Sequence, residues 1–560
     1  MASQRAVYLL VLSTVLTSVL STCLGYAVKE DGPVVQTQFG AVRGMYVEEG
    51  VIFLGLPFAA PPVGELRWKP PQRYGTPWAP AVRDGSVPGP ACRQEICDRP
   101  DYPDPDHECP RDHRQSEDCL YLNIFAPNHV VNSTARLPVL FWLYGGNYGM
   151  GTGSAMMYDG RILANKTSTI VVTTNYRLGA LGFLVTASGE DDVEGNQGLL
   201  DQVEALKWVQ ENIASFGGDK DRVTLFGQSA GSDSIAIHLV SEQSEKLFQQ
   251  GIMLSVPFSI PHKTKWEAVR LGNYFAEQLN CSHGDLKCLR SKDADAVLKA
   301  SNKAGHFIDN PLRYIETFMQ WGPSINPDIL PGQTVDLITN GKFHKNKPII
   351  IGTTLEENVM YIGMGFHQPI PSKLKLTAIL AAFVHEKALA VLREYDPEKS
   401  HDYRPNLSDI ATDWMFTCPT RKIARSVASV GGDVWLYVFD HVWSFKHLWD
   451  HHDYCNGHVC HGEDLPFLFQ SPKLIGLNMT ADEQVLAGSM AYHYGNFAHT
   501  GDPNKPSPYA SSVKPPGLNW PVYSQENNFT CLNITTPVNV LLEGYREEKC
   551  DFFDKLNVYP

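Results

Sequence analysis

Apolar residues run almost unbroken through five short stretches of the chain. These are LPVLFWLY at 137–144, STIVVTTNY at 168–176, RVTLF at 222–226, PIIIGTT at 348–354 and VWLYVFD at 434–440. A strand with one wet face alternates apolar and polar residues, whereas a strand covered on both faces does not. The runs therefore predict buried strands. Between them the apolar positions fall at helical spacing, as in GLLDQVEALKWVQENIASF at 198–216. Strands alternating with helices place the chain in the α/β class, with a large, mostly parallel central sheet covered by helices on both faces. No repeat period, low-complexity tract or Pro/Gly/Ser-rich linker divides the chain. The polar, proline-rich segment 98–115 lies among cysteines and reads as a tied-down loop. One domain with extended insertions, residues 26–560, is the expected organisation.

The third run leads straight into a candidate nucleophile. VTLFGQSAGS at 223–232 sets Ser229 between Gly227 and Gly231. Ile235, Leu239 and Val240 then follow at helix-like spacing. Strand, tight turn and helix is the setting in which a serine is held out on a strained backbone, and bulky neighbours would clash there. The bland reading is a serine in a small-residue loop, so the rest of the chain must supply partners.

A serine hydroxyl needs a base. The segment NGHVCHGEDLPFLF at 456–469 carries His461 in a loop after the last apolar run, with His458 as its competitor. The same region clusters His447, His451, His452, Cys455, His458, Cys460 and His461. A metal site is the alternative there, but cysteines five apart in an oxidising compartment more often pair with each other. A carboxylate must orient the imidazole. IIIGTTLEENVMY at 349–361 offers Glu356 and Glu357, and spacing does not choose between them. Backbone N–H groups for a developing oxyanion fit the glycine-rich LFWLYGGNYGMGTGS at 140–154. No Lys-Ser/Thr pair follows it, so a phosphate loop is a poor reading.

Composition narrows the setting. The chain has 560 residues, is 43% hydrophobic and carries a formal net charge of -14. That acidity, with no basic stripe, argues against nucleic acid as a partner. The N-terminal MASQRAVYLLVLSTVLTSVLSTCLGYA resembles a signal peptide over residues 1–25 and is too short for a confident membrane span; no later segment predicts a transmembrane anchor. Sequons begin at Asn132, Asn165, Asn280, Asn406, Asn478, Asn528 and Asn533. Together these features predict a secreted or lumenal glycoprotein. Twelve cysteines fit that compartment, and loss of Cys23 with the leader leaves an odd number. One is then unpaired or joined to another chain, which keeps a homo-oligomer open.

With the partners assembled, the chain resembles the carboxylesterase/cholinesterase (type-B carboxylesterase) family of α/β-hydrolases. Two long signatures carry the resemblance, FGGDKDRVTLFGQSAG at 216–231 and SEDCLYLNIFAP at 116–127. FLGLPFAAPPVGELRW at 53–68, NYRLGALGFL at 175–184, HGEDLPFLF at 461–469 and YGNFAHTGDPN at 494–504 support it. The resemblance implies the α/β-hydrolase fold, Ser229 as nucleophile, Glu357 as acid and His461 as base. It implies Gly146, Asn147 and Ala230 as oxyanion donors through their N–H groups. It also implies disulfides Cys92–Cys119 and Cys281–Cys288, with Cys418–Cys550 near the C-terminus. Cys97–Cys109 and Cys455–Cys460 are added as further pairs, leaving Cys531 over.

Three departures stand out. Asn147 occupies a loop position where many carboxylesterases have glycine. Gln228 stands where glutamate is common, and in cholinesterases that acid helps hold a cation. No tryptophan lies between Trp78 and Cys119 to serve as a choline platform. The expectation is a serine carboxylic ester hydrolase acting on a small ester, not dedicated to choline esters and needing no metal or organic cofactor. The competing reading is a non-enzymatic adhesion, storage or crystal-forming member of the family. A lipase or cholesterol esterase is a third.

Overall fold

A computed structural model describes residues 32–95, 109, 114–131, 133–187, 192–308, 311–445, 448, 452–507 and 518–560. Among them an eleven-stranded sheet forms the centre. Its strands, in chain order, are β1 (Met45–Val47), β2 (Gly50–Pro57), β3 (Tyr121–Ala126), β4 (Leu137–Leu143), β5 (Ile170–Thr174), β6 (Gly218–Gln228), β7 (Gln250–Leu254), β8 (Ile349–Thr354), β9 (Val434–Phe439), β10 (Cys531–Ile534) and β11 (Val540–Leu542). The spatial order is β11-β10-β9-β8-β7-β6-β4-β5-β3-β2-β1. The run from β5 through β10 pairs in parallel. Antiparallel strands close both edges.

Every residue of β4, β5, β7, β8 and β9 is buried. Successive side chains on a strand point to opposite faces, so both faces of this sheet are covered. The covering helices include α1 (Gln197–Asn212), α2 (Ala230–Val240), α3 (Asn358–Gly365), α4 (Arg404–Thr412) and α5 (Ala481–Thr500). Trp142 of β4 sits in the core with its ring 4.8 Å from that of Phe226 and 4.9 Å from that of Phe469.

The five apolar runs become β4, β5, β6, β8 and β9. β6 begins earlier than its apolar stretch, at Gly218. Its first residues, GDKDR, are polar and half in solvent, and the pairing with β4 shifts register between Gly218 and Val223. The helix expected over 198–216 forms over Gln197–Asn212 and tightens into a 3-10 turn at Ile213–Phe216.

Disulfides join Cys92–Cys119, Cys281–Cys288, Cys418–Cys550 and Cys455–Cys460. Cys109 is also disulfide-bonded, while Cys97 lies outside the described residues. Cys531 is a free thiol inside β10, and burial pushes its pKa up to about 12. At 0% exposure it has no access to a partner chain. Of the expected glycan acceptors, Asn165, Asn280, Asn478 and Asn528 are exposed and Asn406 is half-buried. Asn533 is a correction: it lies buried in β10 with its Nδ2 donating to Asp440 at 3.1 Å, so a glycan there would break the packed edge. Asn132 and residues 1–25 lie outside the described residues. No helix among the described residues is long and apolar enough to cross a membrane.

Candidate active site

Four loops at the C-terminal ends of β4, β6, β8 and β9 build the site. The turn after β6 holds Ser229 at φ 56°, ψ -123°, immediately before α2. Its geometry explains the flanking glycines. A Cβ on Gly231 would lie 1.9 Å from the Leu143 carbonyl oxygen, and one on Gly227 would lie 2.8 Å from the same atom. Only glycine admits so close an approach. Ser229 N–H donates to the Leu254 carbonyl at 2.9 Å. Ser232, which sequence reasoning passed over, ties the turn down by donating to the carbonyl of Gly227.

The two adjacent glutamates after β8 hold two different histidines. Glu357 is fully buried; its Oε1 accepts from the Thr354 N–H at 2.8 Å and its Oε2 meets His461 Nδ1 at 2.5 Å. Glu356 faces outward. Its Oε1 pairs with His458 Nδ1 at 2.8 Å and its Oε2 accepts from the Val459 N–H at 2.9 Å. The ambiguity left by spacing is thus a division by side of the chain, one pair inside and one at the rim. The His461 ring lies 5.3 Å from Tyr361 of α3 and 5.1 Å from Phe416.

In the neutral imidazole, a proton on Nδ1 facing the Glu357 carboxylate leaves the lone pair on Nε2. That lone pair faces Gln228, whose carboxamide nitrogen stands 2.8 Å away and donates to it. No hydrogen bond joins Ser229 Oγ to His461 among the described residues. The structure therefore brings Glu357 and His461 together, places Ser229 next to the residue that caps His461, and leaves the serine hydroxyl unengaged.

The loop after β4 runs against this turn. A Cβ on Gly145 would lie 2.6 Å from Gln228 Oε1 and 3.0 Å from Ser229 Cβ. Gly146, Asn147 and Tyr148 all have positive φ, at 98°, 53° and 58°. For the two non-glycine residues this left-handed backbone costs about 1–2 kcal/mol each. The Gly146 carbonyl turns inward and accepts from Gly149 and Met150. Tyr144 is not part of the catalytic surface. It is fully buried, stacked on Tyr176 at 4.4 Å.

Among the described residues, the histidine–cysteine cluster is not a ligand set. Cys455 and Cys460 are bonded to each other, and Glu463 lies within 4.8 Å of their sulfurs. His458 is taken by Glu356 and His452 by Tyr454. His447 and His451 lie outside the described residues. A cavity of about 420 Å³ opens behind Glu356 and His458, lined also by Val359, Ile362 and Tyr454. Ser229 is not among its walls.

Beside His461, burial pushes the Asp464 carboxyl up to about 7, and the Glu357 charge reinforces the shift. A raised carboxyl stabilises the fold fully below its ordinary range and loses that contribution as pH climbs through about 7. Melting temperature is therefore expected to fall between pH 5 and pH 8. Asp464→Asn keeps an acceptor for the Tyr437 hydroxyl and should flatten that fall; an unchanged slope by scanning calorimetry would count against it.

A parallel sheet with strained serine, carboxylate-paired histidine and glycine loop at its carboxyl end defines an esterase of the α/β-hydrolase fold. The chain belongs to the carboxylesterase family, whose profile, described as "Carboxylesterase family", matches residues 31–553. It is 33% identical over 540 residues to the "Pyrethroid hydrolase Ces2a" of Mus musculus, covering 92% of this chain and 90% of that protein. It is 34% identical over 527 residues to the "Crystal protein" of Dictyostelium discoideum, covering 92% and 90%. Among solved structures it resembles a "PNB ESTERASE" with a TM-score of 0.75 at 31% identity, covering 93% of this chain and 99% of that one. The protein is a carboxylic ester hydrolase.

Proposed function

We propose that the protein cleaves small carboxylic esters through an acyl-enzyme on Ser229. The single observation carrying this is the buried Glu357–His461 pair, whose Nε2 is capped by Gln228, the residue immediately before the strained Ser229. Substrate entry displaces the Gln228 carboxamide from Nε2. Ser229 Oγ attacks the ester carbonyl carbon while His461 Nε2 takes its proton. Glu357 fixes the Nδ1–H tautomer and balances the imidazolium. The N–H groups of Gly146, Asn147 and Ala230 receive the tetrahedral oxyanion. His461 then protonates the departing alcohol, and water repeats the cycle on the acyl group. No step calls for a metal or organic cofactor.

Four disulfides among the described residues, the N-terminal leader pattern and the exposed sequons support secretion of one α/β-hydrolase domain, residues 26–560. A second reading, a stored or structural protein with an idle site, draws on Asn147 in the oxyanion loop and the likeness to the crystal protein. A fluorescent organophosphonate separates the two. Stoichiometric labelling of Ser229 in the purified protein is expected, and an inert Ser229 favours the second reading.

A further inference from the structure

A buried polar chain stands behind the donor loop, and the reaction outlined above does not use it. Tyr148 is fully buried, and its hydroxyl donates to Asp233 Oδ2 at 2.7 Å. Asp233 lies one turn into α2, and its own N–H donates to the Ser229 carbonyl at 2.9 Å. Its other carboxylate oxygen faces His262 Nε2 at 3.5 Å. The His262 backbone is clamped in turn by the Gln333 carboxamide, which bonds both its N–H and its carbonyl, at 2.9 and 2.8 Å. All three side chains are buried.

We propose that Tyr148, Asp233 and His262 form a positioning lock, with Asp233 as its hub, that holds the Gly146–Asn147 turn against the Ser229 helix. The inference rests on the serine-esterase reading above. It follows from what the loop must sustain. Asn147 and Tyr148 are both left-handed at non-glycine positions, a conformation that persists only where the surroundings over-determine it. The Tyr148 carbonyl accepts from Gly179 at 2.8 Å and its ring packs on Phe183 at 5.0 Å, but neither contact reaches the serine helix. The phenol oxygen does, donating to Asp233 and accepting from the Ser234 hydroxyl at 3.2 Å, both residues of α2. It ties the loop bearing two oxyanion donors to the helix whose first residue, Ala230, bears the third. Were the bond lost, relaxation of Asn147 toward an ordinary φ would swing its N–H away from the oxyanion. Burial raises the Asp233 carboxyl, and the imidazole and phenol oppose that shift. The lock acts on the transition state, so it shows in kcat and not in KM.

Tyr148→Phe deletes one oxygen and keeps the ring. With p-nitrophenyl butyrate, kcat is expected to fall about 10- to 100-fold with KM within about threefold. The inhibition constant of an alkyl trifluoromethyl ketone, whose serine adduct places an oxyanion in the same hole, should rise by the factor lost in kcat/KM. Asp233→Asn keeps an acceptor for the phenol and should retain most of the rate, whereas Asp233→Ala, which leaves the phenol only its Ser234 contact, should lose clearly more. A folded Tyr148→Phe with kcat within twofold of the parent overturns the lock. If that variant does not fold, equal kcat values for Asp233→Asn and Asp233→Ala overturn it. Ser229→Ala is measured alongside. An inactive Ser229→Ala beside a fully active Tyr148→Phe removes only the lock, and an active Ser229→Ala removes the serine reading with it.

Discussion

Ser229→Ala is expected to cut the turnover of p-nitrophenyl acetate by about 10⁵- to 10⁶-fold, leaving only the acceleration that binding and the oxyanion donors provide. The fold should not notice. The serine hydroxyl makes no bond to the protein among the described residues, and alanine retains the Cβ that packs beside Gly145. At φ 56° the backbone strain is the same for both residues. Stability should therefore stay within about 0.5 kcal/mol of the parent, so lost rate cannot be ascribed to lost structure. Steady-state kinetics with a melting curve on the same sample checks both halves. Hydrolysis at the parent's rate would refute the acyl-enzyme on Ser229.

Glu357→Gln should lower kcat by about 10⁴-fold through the histidine's tautomer. Glutamine preserves size and can still accept the Thr354 N–H on its Oε1. That choice turns its NH2 toward His461 Nδ1. A donor there forces the imidazole to carry its proton on Nε2, where it cannot receive one from the serine. The neighbouring Glu356→Gln is the internal comparison. It disturbs only the outer contacts to His458 and the Val459 N–H and should hold kcat within about threefold of the parent. Equal losses in the two variants, read as kcat on the same ester, would reject Glu357 as the orienting acid.

Much of this architecture could be read from the residues because it is fixed by sterics and burial. Continuous apolar runs give β4, β5, β6, β8 and β9 since no polar alternation is needed where both faces are covered. Ser229 is legible because only glycine fits beside it. The short edge strands β1 and β11 escape, being three residues each and decided by pairing. The choice between Glu356 and Glu357 depends on which side of the chain faces inward, which periodicity does not reveal at a loop. The Asn533 sequon fails because a three-residue pattern carries no knowledge of the strand around it. Asp233 left a signal that went unused: a lone acid in the apolar helix SDSIAIHLV, one turn beyond the nucleophile. The Gln228 cap on His461 had none, since it joins residues 233 positions apart.

Sheet order has a final consequence. The glycine-rich loop follows β4, Ser229 β6, Glu357 β8 and His461 β9, and β6 reaches its place only by lying on the far side of β4 from β5. A ribosome delivers these pieces in sequence, with the imidazole last. On the proposed mechanism, a nascent chain released before His461 emerges carries Ser229, the glycine-rich loop and Glu357 without the base that would activate the serine. Esterase activity on that mechanism therefore requires synthesis to pass His461, with the edge strands β10 and β11 still to follow.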